Sequence, residues 1–399
     1  MMLKMNETFI KPLYDERGFA GIPTRIENAF TSGNYDTVVL FLIDGFGWRF
    51  YERFQDASFI KRISKHGKIE KLISQFPSTT AAHVTTLHTG LTVGQSGVHE
   101  WVYYEPQADA IIAPLLFSYA GGRKIQDTLK ASGIQPASIY PQGIFYSKLK
   151  KLGVEPHVFG VQEYTPSTYS DTVMAGAKLH SFKTLSEAFM NIGLLIEKQT
   201  KPTYVNLYFD MIDAISHEYG PTALQTEAEI ETFLLMLENY FERIFNGKKR
   251  VLFLMTADHG QVEIDPQTTI YLNTHPSFKG IEKFIKANRK GELLVPAGSA
   301  RDMFMYIHAE MLDEAQDFLA KRFEGRADVV KTEALIDAGY FGPEVSSRLY
   351  ERVGNLVVLP YRHESVWWYE KGKYEQRFYG HHGGLTPQEM ETILYSYET

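Results

Sequence analysis

Three stretches of the chain are almost continuously apolar, and each runs into polar residues and a turn. Thr37 to Ile43 leads into Asp44-Gly45, Tyr204 to Phe209 into Asp210 and Asp213, and Val251 to Thr256 into Ala257-Asp258-His259-Gly260. A strand with one wet face alternates apolar and polar residues, so runs without alternation point to strands covered on both faces, as in a parallel sheet. Helical spacing appears between and after them, over 182–199, 222–246 and 309–323; the second carries Leu224, Ile230, Phe233, Leu234, Met236, Leu237, Tyr240 and Phe241. Strands alternating with helices predict an α/β fold with a doubly wound, mostly parallel sheet. Ligands of such sheets bind beyond the carboxyl ends of the strands. Asp44, Asp213, Asp258 and His259 all fall there.

Two regions break the alternation. Residues 101–180 are rich in Tyr, Gly and Pro, and are expected to hold a core strand, Pro136 to Tyr140, with substrate-facing loops. Residues 266–365 contain their own strand and helix candidates at Met303–Ile307, 309–323 and Leu356–Leu359. They are expected to form an inserted α+β cap, leaving 1–265 plus 366–399 as the catalytic core.

Composition narrows the chemistry. A chain of 399 residues with 44% hydrophobic and 22% charged content has ample material for a packed core. The net charge of −7, without a Lys/Arg run, gives no footprint for a nucleic-acid polymer. Cysteine is absent, which excludes disulfides, thiolate ligands and a Cys nucleophile, so any metal must be held by His and carboxylate. Met1 to Phe19 lacks the apolar stretch of a secretory signal, and no run approaches ~20 apolar residues. The expectation is a cytoplasmic protein without a membrane span; the sequence is silent on its oligomeric state.

Several candidate ligands stand out. Asp213 and His217 share one face if their segment is helical. Asp258-His259 sits at a strand end, Asp44 is flanked by Gly45 and Gly47, and His381-His382 lies in a glycine-flanked loop. These donors suit Zn²⁺, Mn²⁺ or similar ions. Taken singly, each also fits a turn or a helix cap; their joint placement at strand and loop ends of one sheet favours a site. In Gln75 to His83, Pro77 ends an extended stretch and Thr80 opens an Ala-rich helix running to Gly90. A hydroxyl there lies among free N–H groups that favour negative charge. Ser78, Thr79 or Thr80 could equally serve as an N-cap.

Together these elements resemble the type I phosphodiesterase/nucleotide pyrophosphatase branch of the alkaline phosphatase superfamily. The resemblance rests on Asp44, on Pro77 to Thr80 leading to Thr89-Gly90-Leu91, on Asp213-x-x-x-His217 with Gly220-Pro221, on Asp258-His259-Gly260, and on His382-Gly383. These run in the family's order along nearly the whole chain. The resemblance implies one metal held by Asp44, Thr80, Asp258 and His259, and a second held by Asp213, His217 and His382. It also implies that Thr80 attacks phosphorus, and that the second metal supplies a hydroxide to the resulting phospho-threonine. Two divalent ions are expected, zinc first, with manganese or magnesium as alternatives, acting on a small phosphoester.

The departures concern substrate. Ala81 and Ala82 follow Thr80, where nucleotide-cleaving relatives carry an aromatic residue. Trp101, preceded by His99 and Glu100, stands where the branch has an Asn that contacts phosphate, so Glu100 and Trp101 are candidate substrate contacts. Tyr103, Tyr104, Trp367, Trp368 and Tyr379 are further aromatic candidates for a pocket, with ordinary core packing as the alternative. A phosphomonoesterase or phosphomutase of the same superfamily is the competing activity, and a non-catalytic binding protein a third. The sulfatase motif is absent.

Overall fold

The computed structural model describes residues 5–121 and 125–399. Seven strands form the main sheet: β1 (Thr37–Ile43), β2 (Lys68–Ile73), β3 (Glu155–Val161), β4 (Lys178–Phe182), β5 (Thr203–Phe209), β6 (Val251–Thr256) and β7 (Glu391–Glu398). Their order is β2-β7-β6-β1-β5-β3-β4. The pairings among β6, β1, β5, β3 and β4 are parallel, and β7 runs antiparallel to both of its neighbours. This is the expected doubly wound α/β architecture.

The apolar run of β1 is explained by its two covers. Val39, Phe41 and Ile43 enter one core with Phe189 and Ile192 of helix α2 (Leu185–Lys198) and Phe233, Leu237 and Phe241 of α4 (Leu224–Phe245). Val38, Leu40 and Leu42 enter the other, with Ala81, Val84 and Leu87 of α1 (Thr80–Thr89). Each large side chain buried this way stabilises the fold by about 1.5–3 kcal/mol, so neither face of β1 tolerates a charge.

Pro136 to Tyr140 is not a strand. Pro136–Ile139 is a helical turn, with proline in its first turn and Ile139 and Tyr140 packed into the core. Proline suits that position because the N–H it lacks would have no helical partner there. The strand that this region gives to the interior of the main sheet is β3, whose Glu155, Pro156 and His157 disguised it.

A separate three-stranded antiparallel sheet (Met303–Met305, Leu356–Pro360, Ala327–Lys331, with 356–360 central) lies within 266–365. On one face Met303, Met305, Leu356 and Val358 pack with Ala315 and Leu319 of the helix Leu312–Arg322. On the other, Phe304, Val357 and Leu359 pack with Phe76 and Ala82, on either side of Thr80. Among the described residues no helix is long and apolar enough to cross a membrane.

Candidate active site

β6, β1 and β5 are neighbours, and the pairs Leu42↔Thr256 and Ile43↔Phe209 bring their carboxyl ends level. Asp44 follows β1, Asp258-His259 follows β6, and α3 (Met211–Tyr219) starts two residues after β5, putting Asp213 and His217 on one face. Gly45 turns the chain with φ +71°, and a Cβ there would stand 3.0 Å from Asp213 Oδ1. Glycine meets both demands without strain.

Thr80 is the first residue of α1. Thr79 occupies the N-cap position but makes no side-chain cap bond, and Ser78 Oγ instead donates to Gly384 O at 2.8 Å. The Thr80 hydroxyl lies 3.3 and 3.4 Å from the two oxygens of Asp44 and 3.2 Å from His259 Nε2. His83, one turn along, fixes the approach to Thr80: its Nδ1 bonds to Thr79 O at 2.7 Å, and its Nε2 accepts the Gln75 N–H at 2.9 Å.

The ligand candidates form two touching groups. In the inner one, His259 Nε2 is 3.4 Å from Asp44 Oδ1 and 3.4 Å from Asp258 Oδ2, and all three residues are buried. In the outer one, His217 Nε2 is 3.2 Å from Asp213 Oδ2 and 3.1 Å from His382 Nε2. The His259 and His382 rings stack at 3.7 Å and join the groups. Asp213 comes within ligand-sharing distance of Asp44 and His259 as well as of His217 and His382.

The donor set fits cations. His259, His217 and His382 each bond through Nδ1 to a backbone carbonyl, that of Gly260, Gly380 and Ser78 respectively, at 3.1, 2.7 and 2.9 Å. Carbonyls only accept, so each Nδ1 carries the proton and each neutral ring turns an Nε2 lone pair inward, the arrangement of metal-binding histidines. Asp258 Oδ1 takes the N–H groups of Gly45 and His259, whereas its buried Oδ2 has no hydrogen-bond partner among the described residues.

Ionisation supports the same reading. Burial, then the charges of Asp258 and Asp213, hold Asp44 well above the usual carboxylate range. Burial, then Asp213, raises Asp258 to about 7. Burial opposes ionisation of Asp213 too, but the adjacent histidines, His217 foremost, draw it below its ordinary value. A pocket this crowded with buried carboxylates calls for positive charge.

The remaining sequence candidates separate cleanly. His381 pairs in a strand with Val262 and stands outside both groups, so His382 is the member of the pair that meets them. Glu100 is buried beside Asp302, and its carboxylate accepts the Trp101 N–H. Burial pushes Glu100 up to about 8, and burial, then the charge of Glu100, raises Asp302 above the usual carboxylate range. Trp101 and Tyr379 are exposed, whereas Tyr103, Trp367 and Trp368 belong to hydrophobic cores and Tyr104 packs against one.

Sequence reasoning passed over four contacts. The Tyr208 hydroxyl donates to Asp44 Oδ2; burial, then Asp44, keeps that phenol protonated. Gln261 donates its amide to Asp213. Ser299 Oγ lies within hydrogen-bond distance of both His382 O, at 3.0 Å, and Asp302 Oδ1, at 2.5 Å, and its single proton serves one acceptor at a time. Tyr208 and Gln261 stand near strand ends that already carry candidate ligands, which is a usable signal; nothing local marks Ser299 or Asp302.

A sequence model of the type I phosphodiesterase / nucleotide pyrophosphatase family matches residues 38–385. The chain belongs to this family. It is 23% identical over 253 residues to venom phosphodiesterase from Macrovipera lebetinus, covering 60% of this chain and 27% of the relative. It is also 23% identical over 264 residues to venom phosphodiesterase 2 from Crotalus adamanteus, covering 62% and 29%. The chain thus spans under a third of the length of these relatives. Murine ectonucleotide pyrophosphatase / phosphodiesterase 5, solved in an inactive form with AMP, superposes with a TM-score of 0.66 at 16% identity, over 90% of this chain and 87% of that one. The human counterpart gives 0.65 at 14% identity over 90% and 87%. These structures establish the shared fold.

Proposed function

We propose that this family member is a metal-dependent hydrolase of phosphodiesters or nucleotide pyrophosphates, with Thr80 as the nucleophile. The observation that carries the reading is the Thr80 hydroxyl, seated at a helix start against Asp44 and His259, with a second His/Asp group stacked alongside. Asp44, Asp258 and His259 with Thr80 would hold one divalent cation, and Asp213, His217 and His382 another; the donors suit zinc, with manganese or magnesium as alternatives. Bound there, the ions lower the pKa of the hydroxyl and neutralise charge on the phosphoryl group. Residues 1–265 with 366–399 would form the catalytic core and 266–365 the cap.

The chain's own groups set the order of events. Thr80 Oγ forms the new bond to phosphorus while the bond to the leaving oxygen breaks on the opposite side. The Thr80 proton has Asp44 and His259 Nε2 in range as acceptors. The N-terminus of α1 presents backbone N–H groups to the phosphoryl oxygens. Water then cleaves the Thr80–phosphoryl ester and restores the hydroxyl.

Charge favours a diester over a monoester. Among the described residues, the only ion-pair partners of Asp44, Asp213 and Asp258 are histidines. With the buried carboxylates of Asp44, Asp258 and Asp213 lining it, the pocket suits a phosphorus centre with one negative charge better than a dianion. The test is reconstitution with Zn²⁺, Mn²⁺ or Mg²⁺ and assay on bis-(p-nitrophenyl) phosphate and p-nitrophenyl phosphate. The diester should be preferred by kcat/KM, and a phosphoryl adduct should map to Thr80 by mass spectrometry. Faster monoester turnover would instead support the phosphomonoesterase alternative.

A further inference from the structure

We propose that Phe378, flanked by Tyr379, is a stacking platform for a flat aromatic leaving group, so that this chain selects aryl or nucleobase-bearing esters on the side of the site away from Thr80. The inference rests on the phosphodiesterase reading above. In an in-line displacement the leaving oxygen departs opposite the nucleophile. Thr80 lies against Asp44 and His259, which places the leaving group on the His217 side.

That side is lined by rings. The Phe378 ring lies 5.1 Å from the His217 ring and 5.8 Å from that of His381, yet Phe378 remains 46% exposed. Tyr379 and Tyr219 are exposed nearby, at 47% and 44%. The backbone beside Phe378 is tied down on both sides. The Tyr379 N–H donates to His217 O at 2.8 Å, Tyr379 O accepts the Ile264 N–H at 2.9 Å, and the Gln376 N–H donates to the Tyr271 hydroxyl at 2.8 Å. The backbone that carries the platform is therefore held in place on both sides of Phe378.

Rings left open to water beside a polar site mark a surface that a ligand covers. Ala81 and Ala82, which directly follow the nucleophile, are small and fully buried and present no ring there. The aromatic recognition missing after Thr80 is supplied from the opposite side. Stacking on one ring is worth roughly tenfold to a hundredfold in affinity.

The experiment uses the metal-loaded full chain and Phe378→Ala, Phe378→Leu and Phe378→Trp. The substrates are methyl phosphodiesters whose leaving alcohols are a phenol, a fluorinated aliphatic alcohol of matched acidity, and a nucleoside. Phe378→Ala and Phe378→Leu should lower kcat/KM for the phenyl ester roughly tenfold to a hundredfold, mainly through KM. They should leave the aliphatic ester within about twofold, and Phe378→Trp should restore the phenyl preference. A matching loss on the nucleoside ester extends the platform to nucleobases, while an unchanged value confines it to aryl groups; either result keeps it. Equal losses on phenyl and aliphatic esters, or a fall in bound metal, would overturn it by showing that Phe378 merely props His217. If the wild-type protein hydrolyses none of the esters, the phosphodiesterase reading itself fails and takes the platform with it.

Discussion

Asp44, Asp258 and His259 come from two adjacent strand ends and are shut off from solvent. Asp213, His217 and His382 come from a helix and from a late loop of the chain, and their side chains stay partly exposed. The inner group is placed by the sheet itself, since the register of β1 with β6 fixes where its carboxylates emerge. The outer group depends on tertiary ties: the His382 loop is held through Ser299 to His382 O and through Glu389 to Gly384 N–H at 3.0 Å. Glu389 is itself clamped by the buried Arg301, whose guanidinium makes two 3.0 Å bonds to it. One half of the site is built by secondary structure and the other by buttressing.

The largest expected effect lies where the halves meet the substrate. Thr80→Ala should lower turnover by about 10⁴-fold or more while metal per chain, read by elemental analysis at saturating metal, stays largely intact because Asp44, Asp258 and His259 remain; retained turnover would remove Thr80 as nucleophile. Arg301→Met should cost about 3–5 kcal/mol in denaturant unfolding, because Glu389 is left buried without its partner, and should empty the outer metal position before the inner. Asp213 faces both groups, so Asp213→Asn should weaken both positions by more than the roughly 10–100-fold that an outer partner contributes. His217→Ala, compared by the same metal titration, should weaken the outer one alone. Tyr208→Phe should weaken only the inner position, by roughly 10–100-fold in chelator competition.

The smallest effect is a pH dependence of stability. Burial pushes His83 and His88 down to about 3, from 6.5. The unfolded chain takes up protons below pH 6.5 while the folded one resists until near pH 3, so stability is lost as pH falls through that window. Between pH 6.5 and 5 the loss should be about 1–2 kcal/mol per histidine, read from denaturant midpoints.

The inner group was the more legible in sequence. Asp44 and Asp258-His259 end runs that stay apolar because both faces of β1 and β6 are covered. β2 and β4 were invisible to that criterion: they edge the sheet, and Lys68, Glu70, Lys71 and Lys178 on them face solvent or half-exposed surface. Pro136 to Tyr140 misled because a short apolar run does not distinguish a strand from a buried helical turn. Glu100, read as either a turn carboxylate or a substrate contact, is enclosed with Asp302 from the 266–365 segment. Tyr103 and Trp367 were pocket candidates by residue type, but type alone does not say which aromatics lie inside. Arg301, Ser299 and Asp302 left no local trace, since a buried polar network depends on partners far away in the chain.

The bond from His382 Nδ1 to Ser78 O joins positions 304 residues apart. A contact of such range closes a very long stretch of chain, and packing elsewhere must offset the entropy of that closure. The inner carboxylates can meet once β1 and β6 pair, but the outer cradle is completed only when the last loop docks. On the proposed two-metal reading, the outer cation would be held only once that loop is in place, and a chain cut short of His382 would hold an unfinished cradle.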